Sequence, residues 1–327
     1  MTTFKEIRGQ LIKSLSSDPS PATAGDMWYN STSQTLKGVV LSGAWSSGTN
    51  YPLSVSQCAG CGATQNAGLV FGGYSGGDSN VTNEYDGTNW TTGGNLVAAK
   101  SWPGGNGTQT AGLSAGGYSG PGDNALTQSE EYNGTSWAEG NNLNTAAYGR
   151  SSFGTQTAAA SVMSAASGGS GINEEYDGTS WTNATSLPYN AYQGATTGTQ
   201  TTGLVMGGIF APGPTKFTTT VSYDGTNWTT ESAMPEAKVG SSATGTTAEA
   251  IVWSGQGPGP SLVTSTFKYD GTNWSTDAAI GTARKTLNTR AGTSTSAVTV
   301  AGAAAPGDVN NTEEYNFAAT TKTFTTS

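Results

Sequence analysis

Glu84-Tyr85-Asp86-Gly87-Thr88-Asn89-Trp90 is the stretch on which the architecture turns. Near copies follow: EYNGTSW ending at Trp137, EYDGTSW at Trp181, SYDGTNW at Trp228 and KYDGTNW at Trp274, with spacings of 47, 44, 47 and 46 residues. In each copy a Tyr and a Trp flank an Asp-Gly or Asn-Gly step, which accepts positive φ and suits a tight hairpin turn. A period of this length marks a chain built from one repeated supersecondary unit.

A second landmark runs in step with the first. Gly-Thr-Gln-Thr begins at Gly107, Gly154 and Gly198, with degenerate forms at Ala63, Gly245 and Gly292. Ten residues after each start stands a small residue: Gly73, Gly117, Ser164, Gly208, Gly255 and Gly302. Each unit therefore reads as a polar lead-in, a small-residue apolar run such as AGLSAGG, a Gly/Pro-rich loop and the aromatic hairpin. Short strands at even spacing with one aromatic motif per hairpin indicate an all-β propeller of four-stranded antiparallel blades. The strands are labelled A (before Gly-Thr-Gln-Thr), B (the apolar run), C (through the Tyr) and D (from the Trp). Small residues on B allow close sheet approach. The repeat aromatics Tyr85, Trp90, Tyr132, Trp137, Tyr176, Trp181, Tyr223, Trp228, Tyr269 and Trp274 are assigned to the wider wedge between blades. A lone blade cannot bury its faces, so stability comes from closing the ring.

Six units are apparent, at 51–93, 94–140, 141–184, 185–231, 232–277 and 278–327. The last keeps Tyr315 but lacks the spaced Trp, for which Phe324 is a substitute. Residues 1–50 offer a divergent seventh blade, with ATAGDMWYN as B, TLKGVV as C and Trp45 opening D. Trp45 lies 45 residues before Trp90, and seven units would average 46.7 residues over the 327. Seven blades are therefore expected, with six blades and an N-terminal anchoring arm as the alternative. The segment FKEIRGQLIKSL, apolar at Phe4, Ile7, Leu11, Ile12 and Leu15, fits a short amphipathic helix or an inner strand.

Composition excludes several chemistries. There is no His, which removes imidazole bases and His-ligated zinc or copper. The net charge of −9 leaves no basic stripe to displace phosphate counterions, so no nucleic-acid partner is expected. No apolar run of about 18 residues exists, so no membrane insertion is expected. The MTTFKEIRG start has no apolar signal core. Cys58 and Cys61 form a lone C-x-x-C with neither a second pair nor a His for a zinc site. They fall on strand A near the axis, where small buried thiols pack well. Neither a metal nor a cofactor is expected.

A Gly-Gly pair followed by Tyr and then Trp at this period resembles the kelch repeat. The matching residues are Gly72-Gly73 with Tyr85 and Trp90, Gly116-Gly117 with Tyr132 and Trp137, and Gly207-Gly208 with Tyr223 and Trp228. The Tyr–Trp separation of five is one short of the usual pattern, and the Arg that commonly precedes the family's inner strand is irregular here. A copper oxidase of this type needs His ligands and is excluded. The YDGTNW units and the stretch SSDPSPATAGDMWYNSTSQTLK are also similar to kelch-like virion proteins of tailed bacteriophages, especially marine and cyanobacterial ones. That resemblance implies a non-enzymatic capsid, tail or fibre component located on the virion. Its partners would be other virion proteins or a host-surface glycan or receptor.

Candidate contacts follow from the repeat geometry. The A–B and C–D turns are stereotyped, whereas the B–C loops vary, and variable loops on a rigid scaffold usually carry function. Tyr74, Tyr118 and Phe210 are the candidate exposed aromatics on that face, as a lectin-like surface or a partner contact. Lys100, Lys238 and Lys285 each stand seven residues before a Gly-Thr landmark. They would either converge on an acidic ligand near the channel mouth or bond to rim carbonyls. Asp86, Asp177, Asp224 and Asp270 read as turn formers. Glu130-Glu131, Glu174-Glu175 and Glu313-Glu314 sit on separate blades, with one of each pair facing out by strand alternation. They make no convergent pair for glycoside hydrolysis, and no catalytic residue is assigned.

Overall fold

The computed structural model describes residues 12–120, 124–166, 169–210, 215–286 and 289–324. Every regular element longer than a single turn among them is a β-strand. Two compact units emerge: Ala44–Asn316, and a smaller one made of residues 1–43 with 317–327. Most of FKEIRGQLIKSL lies outside the described residues; Lys13–Leu15 at its end is a short strand.

The larger unit is a ring of six blades. Blade 1 runs Ala59–Thr64, Ala67–Phe71, Thr82–Tyr85 and Trp90–Thr92 as strands A to D. Blades 2 to 5 repeat this order. Antiparallel register holds throughout; Tyr85, Tyr132, Tyr176, Tyr223 and Tyr269 pair directly with the Trp of the same hairpin. Each strand A packs against the next, and that of blade 6 (Arg290–Gly292) packs against that of blade 1, closing the ring.

The seventh blade does not exist. Met27–Asn30 pairs with the start of the long strand Thr35–Ser47, within the smaller unit. The far end of that strand, in the larger unit, lies beside the final strand Asp308–Phe324 and completes blade 6 as its strand D. Trp45 therefore replaces the missing Trp of the last unit, and Phe324 does not. The Trp45 ring lies 5.2 Å from that of Tyr315 and its indole donates to Thr266 Oγ1 of blade 5. The physical reason is closure. A ring whose last sheet borrows its outer strand from the other end of the chain cannot unzip at one seam without losing strand hydrogen bonds.

The core is not central. Five apolar clusters each join two neighbouring blades: Val70 and Tyr85 with Val298 and Val300, for instance, or Phe71 and Leu69 with Tyr132 and Trp137. The remaining seam, between blades 5 and 6, holds Trp45 edge-on to Trp253 at 5.3 Å. Small residues on strand B set the sheet separation. A Cβ on Gly203 would stand 2.2 Å from the Phe153 ring of the preceding blade.

Trp45→Ala should destabilise the protein by about 3 kcal/mol, the range for emptying a large aromatic site. Tyr29→Ala on the exposed face of the smaller unit should cost little. Chemical denaturation of the three proteins checks both; equal midpoints for Trp45→Ala and the native chain would show that blade 6 is not closed by this strand.

Candidate functional site

The polar atoms of the repeat are taken up by the seams. Tyr85 donates to Glu314 at 2.5 Å, Tyr132 to Glu84 at 2.6 Å and Tyr223 to Glu175 at 2.7 Å, and Tyr176 donates to Glu131. Each acceptor is the residue before the Tyr of the preceding blade. Where that position holds Ser222 or Lys268, the end of strand D or the residue just past it supplies the acid: Tyr269 donates to Glu231 at 3.4 Å and Tyr315 to Asp277 at 2.5 Å. The second glutamate of each pair is thus a seam residue, not a solvent-facing one. Gln65, Gln109, Gln156 and Gln200 each donate to two backbone carbonyls of the preceding blade, which explains the Gln of the Gly-Thr-Gln-Thr landmark.

The aspartates of the hairpins cap their own turns. Asp86 Oδ1 accepts from the Thr88 and Asn89 amides at 2.8 and 2.6 Å, and Asp177, Asp224 and Asp270 repeat the arrangement. Those amides hold the carboxyls below the usual carboxylate range.

The lysines do not gather at one place. Lys100 is fully buried, with Nζ 2.7 Å from Glu130 of its own blade. Lys238 donates to the carbonyls of Ser254 and Ser265 in its own blade and sits 5.1 Å from the Phe267 ring centroid; burial pushes it down to about 8. Lys285 is half-buried, and its backbone pairs with Ala303. Sequence reading missed the larger pattern to which Lys100 belongs. Arg150 meets Glu174 at 2.8 Å and Arg284 meets Glu313 at 2.5 Å, all four buried. A cation in the lead-in to strand A is thereby tied to the acid two residues before the Tyr of strand C. The signal was the first glutamate of each Glu-Glu pair, which recurs only where a cation stands in the lead-in.

On the variable face Tyr74 is 41% exposed. Tyr118 is half-buried and edge-on to Tyr148 at 5.6 Å. Phe210 is half-buried in a two-residue ribbon with Thr215–Lys216. The three rings belong to blades 1, 2 and 4. Cys58 and Cys61 are buried free thiols, each pushed up to about 12 by burial. Groups of three or more metal-ligating side chains are absent among the described residues.

Along the axis lies a cavity of about 240 Å³ lined by the A strands of all six blades. Two before the Gly-Thr landmark the blades carry Gly105, Ser152, Thr196, Ala243 and, alone in size, Arg290; in blade 1, where the strand bulges after Cys61, Gly60 holds the equivalent place in the register. Arg290 Nη2 donates to the Ser152 carbonyl at 2.9 Å, in the blade diametrically opposite, so its side chain must cross the axis. Asn106 lines the same cavity; it is 3% exposed, and neither end of its amide has a hydrogen-bond partner.

No family model matches the chain, and no curated protein does. Among solved structures the chain is similar to one titled "Structure of YjhT". The TM-score is 0.70 at 13% identity, over 85% of this chain and 100% of that one. That likeness shows the propeller fold.

Two measurements test the seams. The six seam tyrosines are neutral donors whose hydroxyls are pushed above the ordinary value of about 10 by burial and an adjacent carboxylate, Tyr132 to about 12. Their contribution to stability is present below pH about 10 and is lost as pH rises through the folded values. Tyrosinate absorbance should therefore lag in the folded protein and appear together with unfolding. Separately, Glu174→Gln should cost about 3 kcal/mol by leaving Arg150 uncompensated, and the double change Arg150→Met with Glu174→Met should recover much of it. Denaturation midpoints of the single and double variants decide this.

Proposed function

We propose that the chain is a non-enzymatic structural protein of a bacteriophage particle, a kelch-like propeller held to the particle through its smaller unit. The observation that carries this is the distribution of exposed apolar side chains. Among the described residues, five of the seven large ones, Ile12, Met27, Tyr29, Leu41 and Phe324, belong to the smaller unit. Along Met27–Asn30 alternation sends Trp28 and Asn30 to a buried face. There Asp18 accepts from the Trp28 indole and the Asn30 amide, and pairs with Lys37 at 2.8 Å. Met27 and Tyr29 point the other way, and Met27 and the Phe324 ring both stand over Gly38. One face is internally satisfied and the other is apolar and uncovered, which marks an interaction surface.

The repeat supports the same reading. Its Tyr, Trp, Gln and acidic side chains are spent on seams and turns, and its carboxylates are held apart on separate blades. The similarity of YDGTNW and GDMWYNSTSQTLK to phage structural proteins supplies the kind of particle.

Mass spectrometry and a side-chain-resolution cryo-EM map of purified particles from the source of this sequence test the proposal. The chain should be present in fixed copy number with the Met27–Tyr29 face covered by another virion protein. Met27→Glu with Tyr29→Glu should abolish incorporation while leaving the melting temperature of the isolated protein unchanged. Absence of the chain from the particles overturns the reading. A glycan-binding propeller is the second reading, favoured by exposed Tyr74 and the Tyr118–Tyr148 pair on the variable face; glycan-array binding lost on Tyr118→Ala would distinguish it.

A further inference from the structure

We infer that the axial cavity is a binding site for a small oxyanion, a carboxylate or phosphate group, held by Arg290 and Asn106. Three independent features of the geometry point there.

The first is charge. Arg290 spans the axis at the floor of the cavity, and the lining side chains include no Asp or Glu among the described residues. The guanidinium thus sets the sign of the potential in a chain whose net charge is −9. Arg290 Nη2 already donates to the Ser152 carbonyl and reaches Thr196 Oγ1 at 3.5 Å, so the guanidinium attracts a carboxylate or phosphate through its delocalised charge.

The second is the Asn106 amide. A buried amide without partners costs free energy, and buried polar groups in folded proteins are nearly always satisfied. Asn106 lines this cavity at the position where other blades carry Cys61, Phe153, Thr197, Thr244 and Ala291. Thr197 and Thr244 there donate to the next blade, at the carbonyls of Gly245 and Thr293. Asn106 makes no such bond; its amide is closed off from water as it stands and gains a partner only when a ligand oxygen reaches it.

The third is size and access. About 240 Å³ is below the range of roughly 300–1,000 Å³ for drug-sized ligands, which restricts the occupant to a small molecule or ion. Ala63 and Thr155, in the stereotyped A–B turns, are exposed lining residues, so the cavity opens on that face and not on the variable loops. It is therefore separate from the candidate aromatic surface at Tyr74 and Tyr118, and the inference does not depend on the virion reading.

Isothermal titration and thermal unfolding of the whole chain with inorganic phosphate and with acetate, at constant ionic strength set by chloride, test it. NMR of the Asn106 side-chain amide and the Arg290 Nε–H reads the site directly. The expected result is a saturable rise in melting temperature with at least one probe, together with saturable shifts of both resonances. The probe that acts distinguishes phosphate from carboxylate. Asn106→Leu should weaken binding at least tenfold and Arg290→Gln should abolish it, with Lys13→Gln as a charge-matched control that changes neither. Arg290 also bridges blades, so if Arg290→Gln fails to fold, Asn106→Leu and the resonance shifts carry the test. No saturable response to either probe, or an equal response in Asn106→Leu, overturns the inference and leaves Arg290 as a strut between opposite blades.

Discussion

A four-stranded blade has two faces and no interior, and everything else in this molecule follows from that constraint. Each apolar cluster joins two neighbouring sheets, and no blade supplies one alone. The same holds for polar groups. The Tyr hydroxyl of one blade finds its acceptor on the blade before it, and the Gln of each Gly-Thr-Gln-Thr turn reaches that blade's carbonyls. Stability is therefore a property of interfaces, as in other repeat proteins. An unclosed ring would leave one seam, with its aromatic wedge and its tyrosine hydroxyl, open to water. Borrowing Trp45 and its strand from the start of the ring removes that open seam.

That closure is also why the blade count could not be read from spacing. Trp45 precedes Trp90 by 45 residues, in step with every other interval. Yet a strand D that precedes blade 1 has that spacing whether it completes a blade of its own or the last blade of the ring. Periodicity is blind to the difference. The missing Trp of the last unit, after Tyr315, was the informative absence: six units with five hairpin Trp residues and one in-register Trp upstream, Trp45, make six blades. The strands and their order were legible, because the Tyr and Trp of each hairpin sit in direct register and the Asp-Gly turn between them is chemically specific.

Side-chain roles were less legible, because they depend on which neighbour the fold supplies. Lys100 and Lys238 share a position in the repeat, but one meets a carboxylate and the other meets carbonyls and a ring face. Compensation hides the tyrosine ladder in the same way. Blades 4 and 5 lack the acid before the Tyr, and Glu231, just past the adjacent strand, and Asp277, at the end of it, replace it. An identical contact thus arises from non-equivalent sequence positions. Arg290 was visible only as a break in a column of small residues, which becomes meaningful once the column is known to face the axis.

The distribution of charge joins these observations to what the molecule can meet. Among the described residues Lys100, Arg150, Lys238 and Arg284 are buried, against three of the acids, Glu130, Glu174 and Glu313. Folding therefore withdraws one more cation than anion, and the outer surface is more acidic than the composition states. An acidic exterior disfavours polyanions such as nucleic acid and anionic lipid at long range. It does little to a small anion at physiological ionic strength, where the Debye length of about 8 Å screens the field of exposed charges. Inside the channel the walls are backbone and uncharged side chains, the local field is that of Arg290, and solvent screening is weakest. The same chain can thus repel extended anions over its surface while holding a small one at its centre, because the two effects act on different length scales.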